Sequence, residues 1–132
     1  MGKVHVSLRL MSDAKSPDQI FVELGVPADN SWRKGDRRGK TSLIEKENGY
    51  EFRSDQPGDI SLEEQVHSLL HRLAPIASKI RAIGCEDVQL TCVVYALRMP
   101  SINFSSSAID ILSRLGASID VDLYVEEGNW EE

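Results

Sequence analysis

The chain has 132 residues, of which 41% are hydrophobic and 27% are charged, and its net charge at pH 7 is −6. This length allows one domain with a hydrophobic core, and the composition excludes a disordered or fibrous protein. No apolar run reaches the roughly 18 residues that a membrane span needs, and the N-terminus lacks the apolar block of a signal peptide. We therefore expect a single cytoplasmic domain over residues 1–132, with residues 126–132 as an acidic tail.

The charges are distributed unevenly along the chain. Five of the 15 basic residues lie in the segment 33–40, which we call the basic loop and which contains a single acidic residue, Asp36. The rest of the chain is therefore strongly acidic. This balance argues against a general nucleic-acid binder, because such proteins need basic surface to meet the phosphate backbone.

The first quarter of the chain predicts a strand followed by a helix. Apolar and polar residues alternate from Val4 to Leu10, which is the pattern of a half-buried strand. Ser16 can cap a helix, Pro17 fits its first position, and Gly25 is a typical helix end. After a loop, Asn48-Gly49 predicts a type I′ hairpin turn, because both central positions of this turn need positive φ. The turn would place Glu47 opposite Tyr50.

The second half predicts two helices and two more strands. A long helix extends from Ser61 to Gly84 and is expected to kink at Pro75, which removes a backbone donor. A strand over residues 88–94 and a helix over residues 105–116 follow. The last strand is expected to bury one alternating set of residues, namely Ile119, Val121, Leu123 and Val125.

The predicted order of elements is β-α-β-β-α-β-α-β. The strands alternate between apolar and polar residues instead of being apolar throughout, so one sheet face is expected to lie free of helices. We therefore predict an α+β two-layer sandwich in which a mostly antiparallel sheet carries its helices on one face.

Three local patterns resemble chemical motifs only in part. The stretch Gly35–Thr41 has three residues between its glycines where a phosphate-binding loop needs four, and it precedes a predicted hairpin instead of a helix. His67 and His71 have a spacing that suits a metal, but no third ligand is evident. Cys85 and Cys92 are expected to be buried thiols without a disulfide.

Asp120 and Asp122 form the most suggestive pair of carboxylates. Alternate residues of a strand point the same way about 7 Å apart, so the pair could act as acid and base, bind a hard cation or contact a partner. The sequence places no His, Cys or Lys next to this pair, so it gives no support for catalysis. The pair belongs to the predicted free face, which looks acidic and includes His5, Ser7, Arg9, Gln89, Thr91, Val93, Tyr95, Asp120, Asp122 and Tyr124.

Five segments of the chain are similar to a known family: Leu8-Arg9-Leu10, Ser16-Pro17, Leu24-Gly25-Val26-Pro27, Lys34-Gly35-Asp36 and residues 115–124. On these segments the chain resembles a bacterial family of domains of unknown function, number forty-two seventy-nine. The resemblance implies no enzyme activity. Small acidic members of this kind look like the immunity proteins that bind and block polymorphic or contact-dependent toxins. The dense basic loop departs from the usual pattern.

We therefore expect a non-enzymatic immunity protein whose acidic surface binds a basic toxin domain and occludes its active site. The expected partner is the C-terminal domain of a toxin, and no cofactor, metal, membrane or direct nucleic-acid contact is expected. The candidate partner-binding residues are Asp120, Asp122, Tyr124, Glu126, Glu127, Trp130, Arg33, Arg37 and Arg38. The alternative is a module that binds an anion or phosphate through the basic loop.

Overall fold

The computed structural model describes residues 2–126, and the bounds of its elements are as follows. The strands are β1 (Lys3–Ser12), β2 (Asn30–Trp32), β3 (Asn48–Arg53), β4 (Asp87–Ala96) and β5 (Ser118–Val125). The helices are α1 (Pro17–Leu24), α2 (Leu62–Leu73), α3 (Ala77–Ile83) and α4 (Ser106–Leu115), with a 3₁₀ turn at Ala74–Ile76 between α2 and α3. The order β-α-β-β-α-β-α-β fits if α2 and α3 are taken as one kinked helix, but the second strand is Asn30–Trp32 and not the predicted strand just before Asn48.

The five strands form one sheet in the order β2-β3-β1-β4-β5. β1 lies at the centre and pairs antiparallel with both β3 and β4, and β2 pairs antiparallel with β3. Among the strands of residues 2–126, only β4 and β5 are parallel, because the connection between them crosses over through α4. The helices lie on one side of this sheet, which confirms the α+β two-layer architecture. Within residues 2–126, no helix has the length and apolar character needed to cross a bilayer.

The core lies between the sheet and the helices. Val6, Leu8 and Leu10 of β1 are buried there, and the alternate residues Val88 to Val94 of β4 lie beside them. Helix α2 adds Leu69 and Leu70, both buried. The alternation predicted for β1 and β4 is therefore confirmed, and the polar positions between these residues face away from the helices.

The predicted helix boundaries are confirmed by their caps. The Ser16 side chain accepts a hydrogen bond from the backbone N–H of Gln19, whose own side chain accepts one from the Ser16 backbone. Ser105 caps α4 in the same way by accepting from the backbone N–H of Ala108. The expected kink at Pro75 takes the form of the 3₁₀ turn that separates α2 from α3.

The predicted hairpin turn at Asn48-Gly49 is wrong. Both residues belong to β3, and Gly49 lies opposite Met11 of β1 and Trp32 of β2 instead of in a turn. A Cβ on Gly49 would lie 2.0 Å from Cε2 of Trp32. The glycine is therefore needed because an indole ring lies against the strand, and it is not needed for positive φ. The sequence analysis did not predict strand β2. Tyr50 pairs with Ser31 of β2 and Leu10 of β1, and not with Glu47 as predicted.

The burial predicted for the last strand is only partly correct. Its helix-side residues Val121, Leu123 and Val125 are half-buried, and Ile119 is 38% exposed. β5 lies at the edge of the sheet, whereas the helices pack chiefly on β1 and β3. An edge strand beyond the helical layer has fewer neighbours to bury its apolar side.

Candidate partner-binding face

The sheet face opposite the helices is the candidate functional site, and we call it the open face. The ten side chains predicted to share this face do so, because strand pairing sets Ser7 opposite Thr91 and Thr91 opposite Asp120. The structure adds residues of β2 and β3 that the sequence prediction missed. These additional residues are Asn30, Trp32, Glu51 and Arg53.

The β5 end of the open face combines carboxylates with exposed aromatic rings. Tyr95 and Tyr124 lie opposite each other on β4 and β5, and their rings stack with centroids 5.1 Å apart. They are 48% and 55% exposed. Asp120 and Asp122 precede Tyr124 on the same face, are exposed, and form no ion pair with residues 2–126. This end therefore offers negative charge beside a flat apolar surface.

The β3 end of the open face carries an ionic cluster, which we call the arginine cluster and which comprises Arg9, Arg53, Glu51 and Trp32. The Glu51 carboxylate accepts a hydrogen bond from Nε of Arg9 at 2.9 Å and another from Nε of Arg53 at 3.0 Å. The Arg9 guanidinium also lies over the Trp32 ring, 5.7 Å from its centroid. Two cations thus surround one anion, and the cluster has a net positive charge.

Glu51 is ionised in this cluster although its side chain is only 3% exposed. Burial alone would raise the pKa of Glu51, but the hydrogen bonds and charges of Arg9 and Arg53 outweigh burial and lower it. The open face is therefore positive at the β3 end and negative at the β5 end. The expectation that this face is acidic therefore holds only at the β5 end.

The basic loop lies away from the β5 end, because it connects β2 to β3 at the opposite edge of the sheet. Most of its charge is paired within the molecule. Arg33 binds Asp18 at 2.5 Å, and Arg38 binds Glu45 at 3.1 Å. Lys34 is likewise paired with Asp13. The structure therefore does not bring Arg33, Arg37 and Arg38 together with Asp120, and these pairs leave the loop less charge for an anion.

The remaining candidates occupy several places. Glu126 follows β5, and its backbone N–H donates to the carbonyl of Ala96. Glu127 and Trp130 lie outside the described residues. His67 and His71 stack on α2 with ring centroids 5.1 Å apart, and residues 2–126 contain no group of three side chains suited to a metal.

Both cysteines are free thiols, as expected from the sequence, but only Cys92 is buried, and Cys85 is half-buried. Cys92 points into the core from β4, and burial raises its pKa to about 12. Burial likewise raises the pKa of Cys85 to about 11. Neither thiol is activated as a nucleophile at neutral pH.

Comparison with known proteins identifies one family. A family model described as Domain of unknown function (DUF4279) matches residues 2–126. No curated protein and no solved structure matches the chain. The match extends over the whole sheet and its helices, so it covers the open face at both ends.

Proposed function

The chain belongs to the family described as Domain of unknown function (DUF4279), and from this premise we propose that it is an immunity protein, which binds a bacterial toxin domain and blocks it. The observation that supports this proposal is the open face itself. One side of a five-stranded sheet carries no helix among residues 2–126 and presents two stacked tyrosines beside two unpaired carboxylates. Tyrosine is enriched in protein interfaces, where its ring supplies contact area at small entropic cost.

The charge of the β5 end favours a basic partner. Toxins that act on nucleic acids carry basic sites, and Asp120 and Asp122 would meet such a site with the opposite charge. Complementary potentials accelerate association and disfavour incorrect partners. The chain as a whole contributes to this attraction, since its net charge is −6. Inhibition then follows from occlusion, because a sheet face held over the toxin's active site excludes its substrate.

Charge reversal at the β5 end tests the proposal directly. The tagged wild-type protein is used to capture its partner from the native cells, and bound proteins are quantified by mass spectrometry after a high-salt wash. We expect a stoichiometric partner that contains a toxin domain. The double variant Asp120→Lys with Asp122→Lys should retain at least about tenfold less of that partner, because close charge pairs at interfaces are strongly coupled.

A matched control separates this face from the overall charge. Glu23 on α1 and Asp110 on α4 are exposed acids on the helix side. The variant Glu23→Lys with Asp110→Lys makes the same change in net charge and should retain the partner at the wild-type level. Equal loss from both variants would show that net charge governs binding, and equal retention by both would remove the β5 end from the interface.

A further inference from the structure

The arginine cluster has a geometry that a purely structural ion pair does not need. Glu51 binds the two arginines through their Nε atoms, one at each carboxylate oxygen. The terminal Nη atoms of Arg9 and Arg53 make no hydrogen bond with residues 2–126. A guanidinium that is bound only at Nε leaves one N–H of each Nη group free at its far end, and these two parallel donors match the two oxygens of a carboxylate.

The two guanidinium groups are held in place before any ligand arrives. Arg9 contacts both the Glu51 carboxylate and the Trp32 ring, and these two contacts restrict the position of its guanidinium. Asn30 supports the same carboxylate by donating from Nδ2 at 3.4 Å. Fixing long side chains beforehand reduces the entropy that binding must remove, so such a site binds a ligand more tightly than mobile surface arginines do.

A groove lies beside the cluster and gives a ligand room. It has a volume of about 330 Å³, is partly open to solvent, and extends between β3, β1 and β4. Ser7 and Thr91 lie opposite each other in neighbouring strands along this groove, and both are small and polar. The Ser7 hydroxyl makes no hydrogen bond with residues 2–126, so it can donate one to a ligand.

The ion pairs of the arginine cluster leave both arginines available to a ligand. A buried carboxylate between two cations contributes little net stability compared with an apolar side chain of similar volume, because the desolvation of the charges offsets their attraction. Arg9 and Arg53 nevertheless remain 41% and 57% exposed, so their outer ends are accessible. The cluster thus combines a fixed inner anion with accessible outer donors and an excess of one positive charge.

We propose that Arg9 and Arg53 form a carboxylate-binding site that receives an aspartate or glutamate side chain of the partner protein. This inference rests on the proposed function for the identity of the partner. The groove is partly open to solvent, so a side chain that projects from a protein surface can enter it. Together with the acids of β5, the site gives the open face two charges of opposite sign, and a partner with the reverse arrangement binds in only one orientation.

The site can be tested without the partner. The probe is N-acetylglutamate N-methylamide, which presents one side-chain carboxylate, and the readout is the NMR signals of the Arg9 and Arg53 Nε–H groups and of the Trp32 indole N–H. We expect saturable shifts at millimolar probe. Arg9→Gln and Arg53→Gln should each weaken binding by about tenfold, since each removes a charged bidentate donor.

The controls decide among the alternatives. Arg114→Gln, on the helix side, should bind the probe as the wild type does, and N-acetylglutamine N-methylamide should produce no saturable shift. Backbone amide spectra must show that each variant is folded, and a single variant that unfolds is replaced by Arg→Lys, which keeps the charge but loses the planar donor pair. Shifts that are linear in probe, or equal with the neutral amide, would overturn the site.

Two further probes identify the ligand class. Inorganic phosphate that saturates the same signals at lower concentration than the carboxylate probe would overturn the assignment to a carboxylate. Free succinate that binds more than about tenfold tighter than the blocked glutamate would overturn the side-chain source in favour of a small molecule. The probe titrations do not contain the toxin, so a negative result in them does not contradict the immunity proposal. A failed partner capture, in turn, does not contradict the carboxylate-binding site.

Discussion

Glu51 is the residue on which the β3 end of the open face depends. It connects two strands through Arg9 and binds Arg53 on its own strand, and it is the only charged side chain among residues 2–126 that is buried. Glu51→Gln keeps the shape of the side chain but removes its charge. We expect this substitution to lower the free energy of unfolding by about 1–2 kcal/mol at pH 7. The loss is modest because both arginines remain exposed to water.

The pH dependence of this loss follows from the direction of the shift. The pKa of Glu51 in the folded protein lies below its ordinary value of 4.5, so folding favours the ionised form. The stabilisation is complete above about pH 4.5 and is lost as the pH falls through the lower folded pKa. Urea unfolding of wild type and variant should therefore give free energies that differ at pH 7 and converge at low pH. A difference that stays constant would contradict an ionic role for Glu51.

A matched control for Glu51 is Glu23, which pairs with Lys15 at 2.8 Å but lies at the surface. Glu23→Gln should change the free energy of unfolding by less than about 0.5 kcal/mol, because exposed ion pairs contribute little. An equal effect of the two substitutions would mean that the burial of Glu51 carries no energetic consequence.

At the scale of elements, the edge position of β5 distinguishes it from the central strand β1. β1 is hydrogen-bonded on both sides, whereas β5 pairs only with β4 and its apolar residues are half-exposed. Native-state hydrogen exchange, followed by NMR, should therefore show that β5 amides exchange at least about tenfold faster than β1 amides. The amides of α2 should exchange at rates similar to those of β1. Equal exchange in both strands would show that β5 is covered by something beyond residues 2–126.

The elements that local signals specify were predictable. Ser16, Ser61 and Ser105 start helices because a hydroxyl can satisfy an orphan backbone donor nearby in sequence. The alternation in β1 is equally local. Gly49 was misread because its reason is a tertiary contact, since Trp32 lies 17 positions earlier and packs against it. A glycine needed for close approach has the same appearance in sequence as one needed for a turn.

At the scale of the whole molecule, half of the candidate site could be derived from the sequence. Alternation alone places Asp120, Asp122 and Tyr124 on one face, and the long strands of β1 and β4 bring ten predicted residues together. The arginine cluster could not be derived, because Arg9 and Glu51 are 42 positions apart and their pairing depends on the register of β3. The incorrect hairpin turn at Asn48-Gly49 was therefore enough to hide the positive end of the open face.

An immunity protein protects cells from its toxin, so the growth of cells that express the toxin is the most direct measurement. Cells that express the captured toxin domain are grown with wild-type protein, with Asp120→Lys and Asp122→Lys, or with Glu23→Lys and Asp110→Lys, at matched protein levels. The account predicts that the wild type and the helix-side variant restore growth and that the open-face variant does not. Protection by the open-face variant equal to the wild type would contradict a role for this face, and failure of the wild type to protect would contradict the proposed function.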